Sequence, residues 1–509
     1  MAAARWLLHP FLFALYFVVT LAASNTNELK GLADLVWPVS ISLLVCSFCW
    51  LAGYALTRDG QKAAILGLLW FVAFSIFGYV AETLRLPLTL RLIGEEPGLG
   101  VLFALALFGP TLAIRRSGRR LEPVNRYLSL VGLCLFGYTT VELYRGLQGE
   151  RDRGAVLPLP PVLADRAAMG DRPDIFLIIL DKYTGSEVLR QHFGFDNSVF
   201  ESFLRSRGFV VPKSSQANYP QTPLALASLL NLDYIQNLPP ELHLYDLVED
   251  NRLTAFLKRQ GYRFAFFPTG FRITFQNRNA DLQLPAPREV RGEFAAVWQN
   301  TTMLPELLSG ACALIGCEAG RFLVTAQAAD LMDWKFERLK DLAGGDQPTF
   351  VLAHLSLPHE PYLYHADCSH RDLYWPAGAG LPGDQEANEG YLDQIRCANR
   401  KLSALVDSIL TRSRRPPVIL LQSDHGHGRI GHLPRFEKLN PYQLRERMSV
   451  FSAYLLPGLS NGAIGDSVTP VNAVRVVLRH YFGADLPPLE DASFWGLEDR
   501  PRDLVRVRW

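Results

Sequence analysis

Neither sign of charge dominates this chain of 509 residues: 51 Lys and Arg stand against 50 Asp and Glu. Without a basic surplus, a nucleic-acid-binding surface is not expected. There is no internal repeat and no low-complexity tract, so neither a repeat array nor a disordered tail is indicated. Cysteine is scarce, seven in all, and the spacings of Cys312, Cys317, Cys368 and Cys397 match no zinc ribbon or finger. Long apolar runs are missing from everything after residue 145.

Before residue 145 such runs dominate. Five blocks, 5–23, 35–56, 63–83, 99–114 and 127–143, are each about long enough to cross a bilayer as a helix. The connectors at 57–62 (TRDGQK) and 115–126 (RRSGRRLEPVNR) are basic, whereas SNTNELKGLAD and RLIGEEPG are acidic or neutral. By the positive-inside rule the basic pair is cytoplasmic, which puts the amino terminus inside and everything after residue 145 outside. The first block is long for a cleaved signal peptide, and its removal leaves the later topology unchanged. Cys46, Cys49 and Cys134 fall in these blocks and read as small apolar side chains. The four outer cysteines form an even set that an oxidising compartment can pair as 312 with 317 and 368 with 397, although sequence alone does not choose the pairing.

This divides the chain into a transmembrane domain of five helices (1–144), a linker rich in Pro, Gly and charge (145–172) and an outer domain (173–509). In the outer domain, strand patterns at 174–180, 208–211, 262–266, 349–355, 417–421 and 450–456 alternate with helical patterns. The helical patterns lie at 186–193, 197–207, 223–231, 251–260, 323–342, 389–412 and 470–482. That alternation predicts an α/β fold, a sandwich around a largely parallel sheet.

Two of the predicted strands end on acids. FLIILDKY places Asp181 after one apolar run, and PPVILLQSDHGHG places Asp424 and His425 after another. In open α/β sheets the carboxyl ends of strands collect ligand and metal sites. A hard oxygen beside an imidazole suits zinc or manganese better than calcium. In NYPQTPLALASLLN, Thr222 precedes Pro223 and an apolar helix, the place of an ordinary N-cap or of a nucleophile beside a helix amino terminus. VLAHLSLPHEPY carries His354 in a strand, where a core histidine is the ordinary reading, and His359 in the loop that follows.

LIILD, QTPLALASLLN, LPHEPY and SDHG, in that order behind five membrane segments, resemble the sulfatase-like membrane branch of the alkaline phosphatase superfamily. That branch includes lipoteichoic acid synthases and phosphoethanolamine transferases. The resemblance implies an alkaline-phosphatase/sulfatase-like α/β/α sandwich at the outer face of a bacterial inner membrane. It implies Asp181, Thr222, Asp424 and His425 as ligands of a divalent metal, Mn or Zn with Mg or Ca also admissible, and Thr222 as a threonine nucleophile. His359 matches a histidine that contacts substrate phosphate, and His432, less closely His427, another site histidine. Asp181 stands where the transferases usually carry Glu, and FFPTGFRITFQNRN lacks the histidine of lipoteichoic acid synthases, which leaves Arg272 and Asn277 as head-group contacts. Thr222-Pro223-Leu224-Ala225-Leu226 has neither the convertible residue nor the arginine of a sulfatase motif, so sulfate-ester hydrolysis is disfavoured. The implied activity is transfer of a phospho-head group from a phospholipid or other lipid donor to a glycan or lipid acceptor through a phospho-threonine. Hydrolysis at the same site is the alternative, and a non-catalytic envelope-assembly component is the rival from another class.

Overall fold

A computed structural model describes residues 7–26, 29, 31–85, 97–118, 120–151, 157–160, 163, 172–269, 271–284, 293–305, 307–308, 311, 324–371, 384–428, 433–460 and 462–508. The chain divides into two compact units. One comprises Met1–Arg153, Arg291–Ala326 and Tyr374–Gly383, and the other Gly154–Val290, Gln327–Leu373 and Asp384–Trp509.

The first unit holds five helices, α1 (His9–Ser24), α2 (Val36–Thr57), α3 (Gly60–Arg85), α4 (Pro97–Arg116) and α5 (Glu122–Arg151). Among the described residues, Leu32–Thr57, Gly60–Val80 and Glu122–Gln148 are long and apolar enough to cross a membrane, whereas His9–Ser24 is apolar but shorter. α5 runs past the expected boundary at 144, so the first residues of the expected linker are helical. Helices come close where side chains are small: a Cβ on Gly67 of α3 would lie 3.1 Å from the Trp50 Cα of α2.

A short helix from far down the chain, Glu293–Thr301, belongs to this unit. Its Phe294 and Trp298 are buried with Val18 and Ala22 of α1 and Leu143 of α5. The Trp298 ring meets Trp37 edge-on at 5.1 Å, and the Met303 amide donates to the Phe74 carbonyl at 2.9 Å. The contacts with α1, α2 and α5 lie toward the helix ends opposite the basic connectors, and Phe74 lies midway along α3. The sequence reading assigned no helix to 293–301 and counted it with the outer domain.

In the second unit a six-stranded sheet runs in the order β3 (Leu282–Gln283), β2 (Arg263–Phe267), β4 (Thr349–Leu355), β1 (Ile175–Leu180), β5 (Val418–Ser423), β6 (Ser452–Leu455). Every pairing is parallel except that of β5 with β6. The central strands are apolar throughout because both faces are covered. Ile175, Leu177 and Ile179 of β1 join one core with the helices Thr222–Asn231, Arg252–Arg259 and Pro470–Phe482. Phe176, Ile178 and Leu180 join another with Ser186–Phe193, Ser198–Ser206, Val324–Asp341 and Asp384–Arg412. This is a three-layer α/β/α sandwich.

Val210 forms only a bridge with Tyr454 rather than the strand expected at 208–211. Pro212 follows within two residues and has no N–H to continue a ladder. The hairpin β7 (Ser493–Leu497) and β8 (Arg500–Val507) was not anticipated, because the charges of RPRDLVRV mask its alternation. Cys368 and Cys397 form a disulfide; Cys312 and Cys317 lie outside the described residues.

Candidate active site

Strand register assembles the site. Leu180 lies opposite Ser423 on β5 and Leu355 on β4, so the residues that follow β1 and β5, Asp181 and Asp424, emerge side by side. His354 stands one position before the end of β4, paired with Ile179. All three side chains are buried, and one ligand atom from each lies within 4.8 Å of the others.

The helix Thr222–Asn231 brings the fourth group. Gln221 rather than Thr222 holds the N-cap position, and Pro223 sits in the first turn. The helix is anchored by burial of Pro223 through Asn231. The segment before it is pinned twice: Gln221 Oε1 accepts from the Glu498 amide at 2.6 Å, and Arg447 Nε donates to the Pro220 carbonyl at 2.6 Å. The Thr222 hydroxyl caps nothing. It donates to Asp424 Oδ2 at 2.6 Å and lies 3.2 Å from His425 Nε2. That nitrogen is 3.5 Å from Asp424 Oδ2 and 3.7 Å from Asp181 Oδ1. The four residues expected to act together therefore converge.

His354 completes the group. Its Nδ1 is 3.0 Å from the Thr274 hydroxyl, while its Nε2 faces Asp181 Oδ2 at 3.5 Å. His354 Nε2 and Asp181 Oδ1 are buried with no hydrogen-bond partner. Orphaned buried polar atoms are costly, and two of them converging with a second carboxylate make a donor set that fits a divalent cation. The only sequence signal for His354 was a titratable group inside an otherwise apolar strand, which fits a core histidine equally well. Arg447, at the end of the helix Pro441–Met448, carried no signal at all; its Nη2 lies 3.3 Å from His425 Nε2.

The electrostatics separate the two carboxylates. Burial raises Asp181, but His359, His354 and His425 outweigh it and hold the carboxyl well below its usual range. Burial first, and then the Asp181 carboxylate, push Asp424 upward. Burial, helped by the Arg447 guanidinium, holds His425 far below an ordinary imidazole, so it is neutral and its Nε2 can accept.

Around this centre, Lys182, at φ 64°, pairs with Glu360 at 2.6 Å, and His427 Nδ1 lies 2.5 Å from Glu446 Oε1. His359 is part-exposed beside Phe271, ring centroids 5.4 Å apart. The Asn277 side chain is engaged within the fold: its Oδ1 accepts from the Asn279 amide and its Nδ2 donates to the carbonyl of Glu249, the last residue of the helix Leu244–Glu249. Its place as a head-group contact is therefore not supported, because a turn and the end of a neighbouring helix engage its oxygen and its nitrogen. The Arg272 side chain and His432 lie outside the described residues.

No protein-family model matches this sequence, and no curated protein matches it. Among solved structures, the C-terminal periplasmic domain of EcEptC from Escherichia coli, in complex with Zn, is similar at 13% identity and a TM-score of 0.43, over 69% of this chain and 96% of that one. Lipooligosaccharide phosphoethanolamine transferase A from Neisseria meningitidis, an integral membrane protein, is similar at 12% identity and a TM-score of 0.43, over 92% of this chain and 95% of that one. A 2-O GAG sulfatase, BT1596, is similar at 14% identity and a TM-score of 0.36, over 64% and 77% of the two chains.

Proposed function

We propose that the chain is a membrane-anchored, metal-dependent phosphotransferase that moves a phospho-head group from a lipid donor to a glycan or lipid acceptor, with Thr222 as nucleophile. The observation that carries this reading is the Thr222 hydroxyl: it starts a buried helix yet points away from that helix, toward Asp424 and His425. A capping threonine would bond to its own helix.

Asp181, His354, Asp424 and His425 would hold a divalent ion, zinc or manganese by the mixture of carboxylate and imidazole donors. Such an ion lowers the pKa of a bound hydroxyl and neutralises a phosphate oxygen. Asp424 orients the hydroxyl of Thr222 and receives its proton as Oγ1 attacks phosphorus. The bond from phosphorus to the donor oxygen breaks, and His359 returns a proton to that oxygen. An acceptor hydroxyl then gives its proton to His359 and attacks phosphorus, the bond from phosphorus to Oγ1 breaks, and Asp424 returns its proton to Thr222.

The membrane half of the reading places the second unit outside a bacterial inner membrane, behind five spans. It is supported by the helix Glu293–Thr301, which comes from the part of the chain after residue 145 and packs at the helix ends opposite the basic connectors.

The test is a pair of variants. Thr222→Ala removes the atom that carries the phosphoryl group and should lower turnover by about three orders of magnitude or more, with little change in melting temperature. Thr222→Ser keeps a hydroxyl and should retain measurable turnover. Incubation with phospholipids should add the mass of a phospho-head group to the wild-type Thr222 peptide only. Near-normal turnover in Thr222→Ala would end the phospho-threonine reading.

A further inference from the structure

Arg447 has a second side that the reaction above does not use. Beside it lies a cleft of about 190 Å³ lined by Gly428, Asn440, Gln443, Glu446 and Arg447, with Leu433, Leu439, Tyr442 and Trp495 as less polar walls. Arg447 is 7% exposed and lines this cleft. Its Nη2 is 3.3 Å from His425 Nε2, which is itself 3.2 Å from Thr222 Oγ1. A Cβ at Gly428 would lie 3.4 Å from Arg447 Nη1, so the glycine leaves the outer edge of the guanidinium clear.

The polar groups of the cleft are unevenly spent. The helix Pro441–Met448 begins with a capping box in which Asn440 Oδ1 accepts from the Gln443 amide and Gln443 Oε1 accepts from the Asn440 amide. That reciprocal bond fixes the orientation of both side chains and consumes their oxygens. Glu446 is buried and turned to His427 at 2.5 Å. The Trp495 indole N–H donates to the Pro434 carbonyl at 3.0 Å. Among the described residues no hydrogen bond engages Asn440 Nδ2, Gln443 Nε2 or Arg447 Nη1, which are donors, or the second carboxylate oxygen of Glu446, which is an acceptor. Three N–H donors, one of them on a buried guanidinium, against one free carboxylate oxygen select an oxyanion that is rich in acceptors and keeps a proton to donate to Glu446.

We propose that this cleft binds a second, non-reacting oxyanion of the substrate, a phosphate group held by Arg447, Asn440 and Gln443 while another phosphate reacts at Thr222. The assignment of that group to the substrate rests on the phosphotransfer reading; the existence of the oxyanion site does not. Binding energy gathered there from a part of the substrate that does not react would orient the part that does.

The test uses the full chain in detergent after chelator treatment, so that phosphate binding is read without the metal centre, with calorimetric titration of inorganic phosphate. Wild-type protein should bind with a Kd of about 1 mM or below. Asn440→Asp combined with Gln443→Glu preserves the capping box, since Asp is a good N-cap and Glu serves at N3, but replaces both free N–H groups by carboxylate oxygens. That variant should keep the wild-type melting temperature and bind phosphate at least tenfold more weakly. If it melts early, Gln443→Glu alone should still weaken binding severalfold. A parallel titration with dihexanoyl phosphatidic acid separates the sources: tighter binding than inorganic phosphate assigns the site to a lipid-borne group, and equal or weaker binding to one without acyl chains. Absence of phosphate binding in the wild type, or unchanged binding in a folded double variant, overturns the proposal. Thr222→Ala, assayed separately, reports on the phosphotransfer reading and leaves phosphate binding at the cleft as it was, so the two failures are distinguishable.

Discussion

His354 shows how one residue acquires a role that its neighbours in sequence do not announce. It is fully buried, satisfied at Nδ1 by Thr274 and unsatisfied at Nε2, where Asp181 faces it. As a core histidine it would matter for packing alone. As a metal donor it would matter for affinity, and losing one of a few converging donors costs about tenfold or more. His354→Ala is therefore expected to leave the purified protein with less than a tenth of the wild-type divalent metal, measured by elemental mass spectrometry. The Thr274 hydroxyl keeps its bond of 2.6 Å to Thr269, so the fold should persist. Full metal content in a folded His354→Ala protein would return His354 to the core.

Two devices tie together the elements that frame the outer face of the second core. Asp333, on the helix Val324–Asp341, takes Lys401 Nζ at 2.5 Å from the helix Asp384–Arg412, Tyr364 Oη at 2.8 Å and His370 Nε2 at 2.7 Å from the loop between them. Burial raises this carboxyl, but its bonds from Lys401, His370 and Tyr364 win and hold it below its ordinary value. A carboxylate with a depressed folded pKa contributes stability that is present above the unfolded value of about 4 and lost as pH falls through the folded one. Asp333→Asn should therefore lower the melting temperature at pH 7, with the gap to wild type closing as the pH is brought down toward 3 in a series of thermal melts. The disulfide Cys368–Cys397 closes a loop of 29 residues between the same elements. In the chain-entropy model it contributes about 3.5 kcal/mol, so Cys368→Ala is expected to move the denaturation midpoint downward by that equivalent. An unchanged midpoint would mean that the reduced chain is already constrained there.

At the scale of the whole molecule, the charge alternation of the connectors predicts a single topology. Reporter fusions that are active only outside the cytoplasm should be active after residue 150 and inactive within 115–126. The opposite pattern would remove both the oxidising compartment that the disulfide requires and the access to outer-leaflet lipid that the proposed reaction requires.

What the sequence determined by itself was what depends on near neighbours. Apolar runs of bilayer length mark α1 to α5, although among the described residues only three stretches are long and apolar enough to span. The strands β1, β2, β4, β5 and β6 and the helices Ser186–Phe193, Thr222–Asn231 and Pro470–Phe482 were legible because periodicity and flanking Pro or Gly are local signals. Asp181, Asp424 and His425 were legible because they follow on such elements, and Thr222 because it begins one. Tertiary structure decided the rest, since register, layer crossing and chain return join residues that are hundreds of positions apart. Register across β4, β1 and β5 turned His354 into a partner of Asp181. Packing of the helix Pro441–Met448 aimed Arg447 at His425. The Thr222 hydroxyl is not placed to cap its own helix, because Gln221 holds the N-cap position, and it donates instead to Asp424 at 2.6 Å. The return of Phe294 and Trp298 to the apolar helices was decided by burial against Val18, Ala22 and Leu143, surfaces that no local pattern around residue 294 describes.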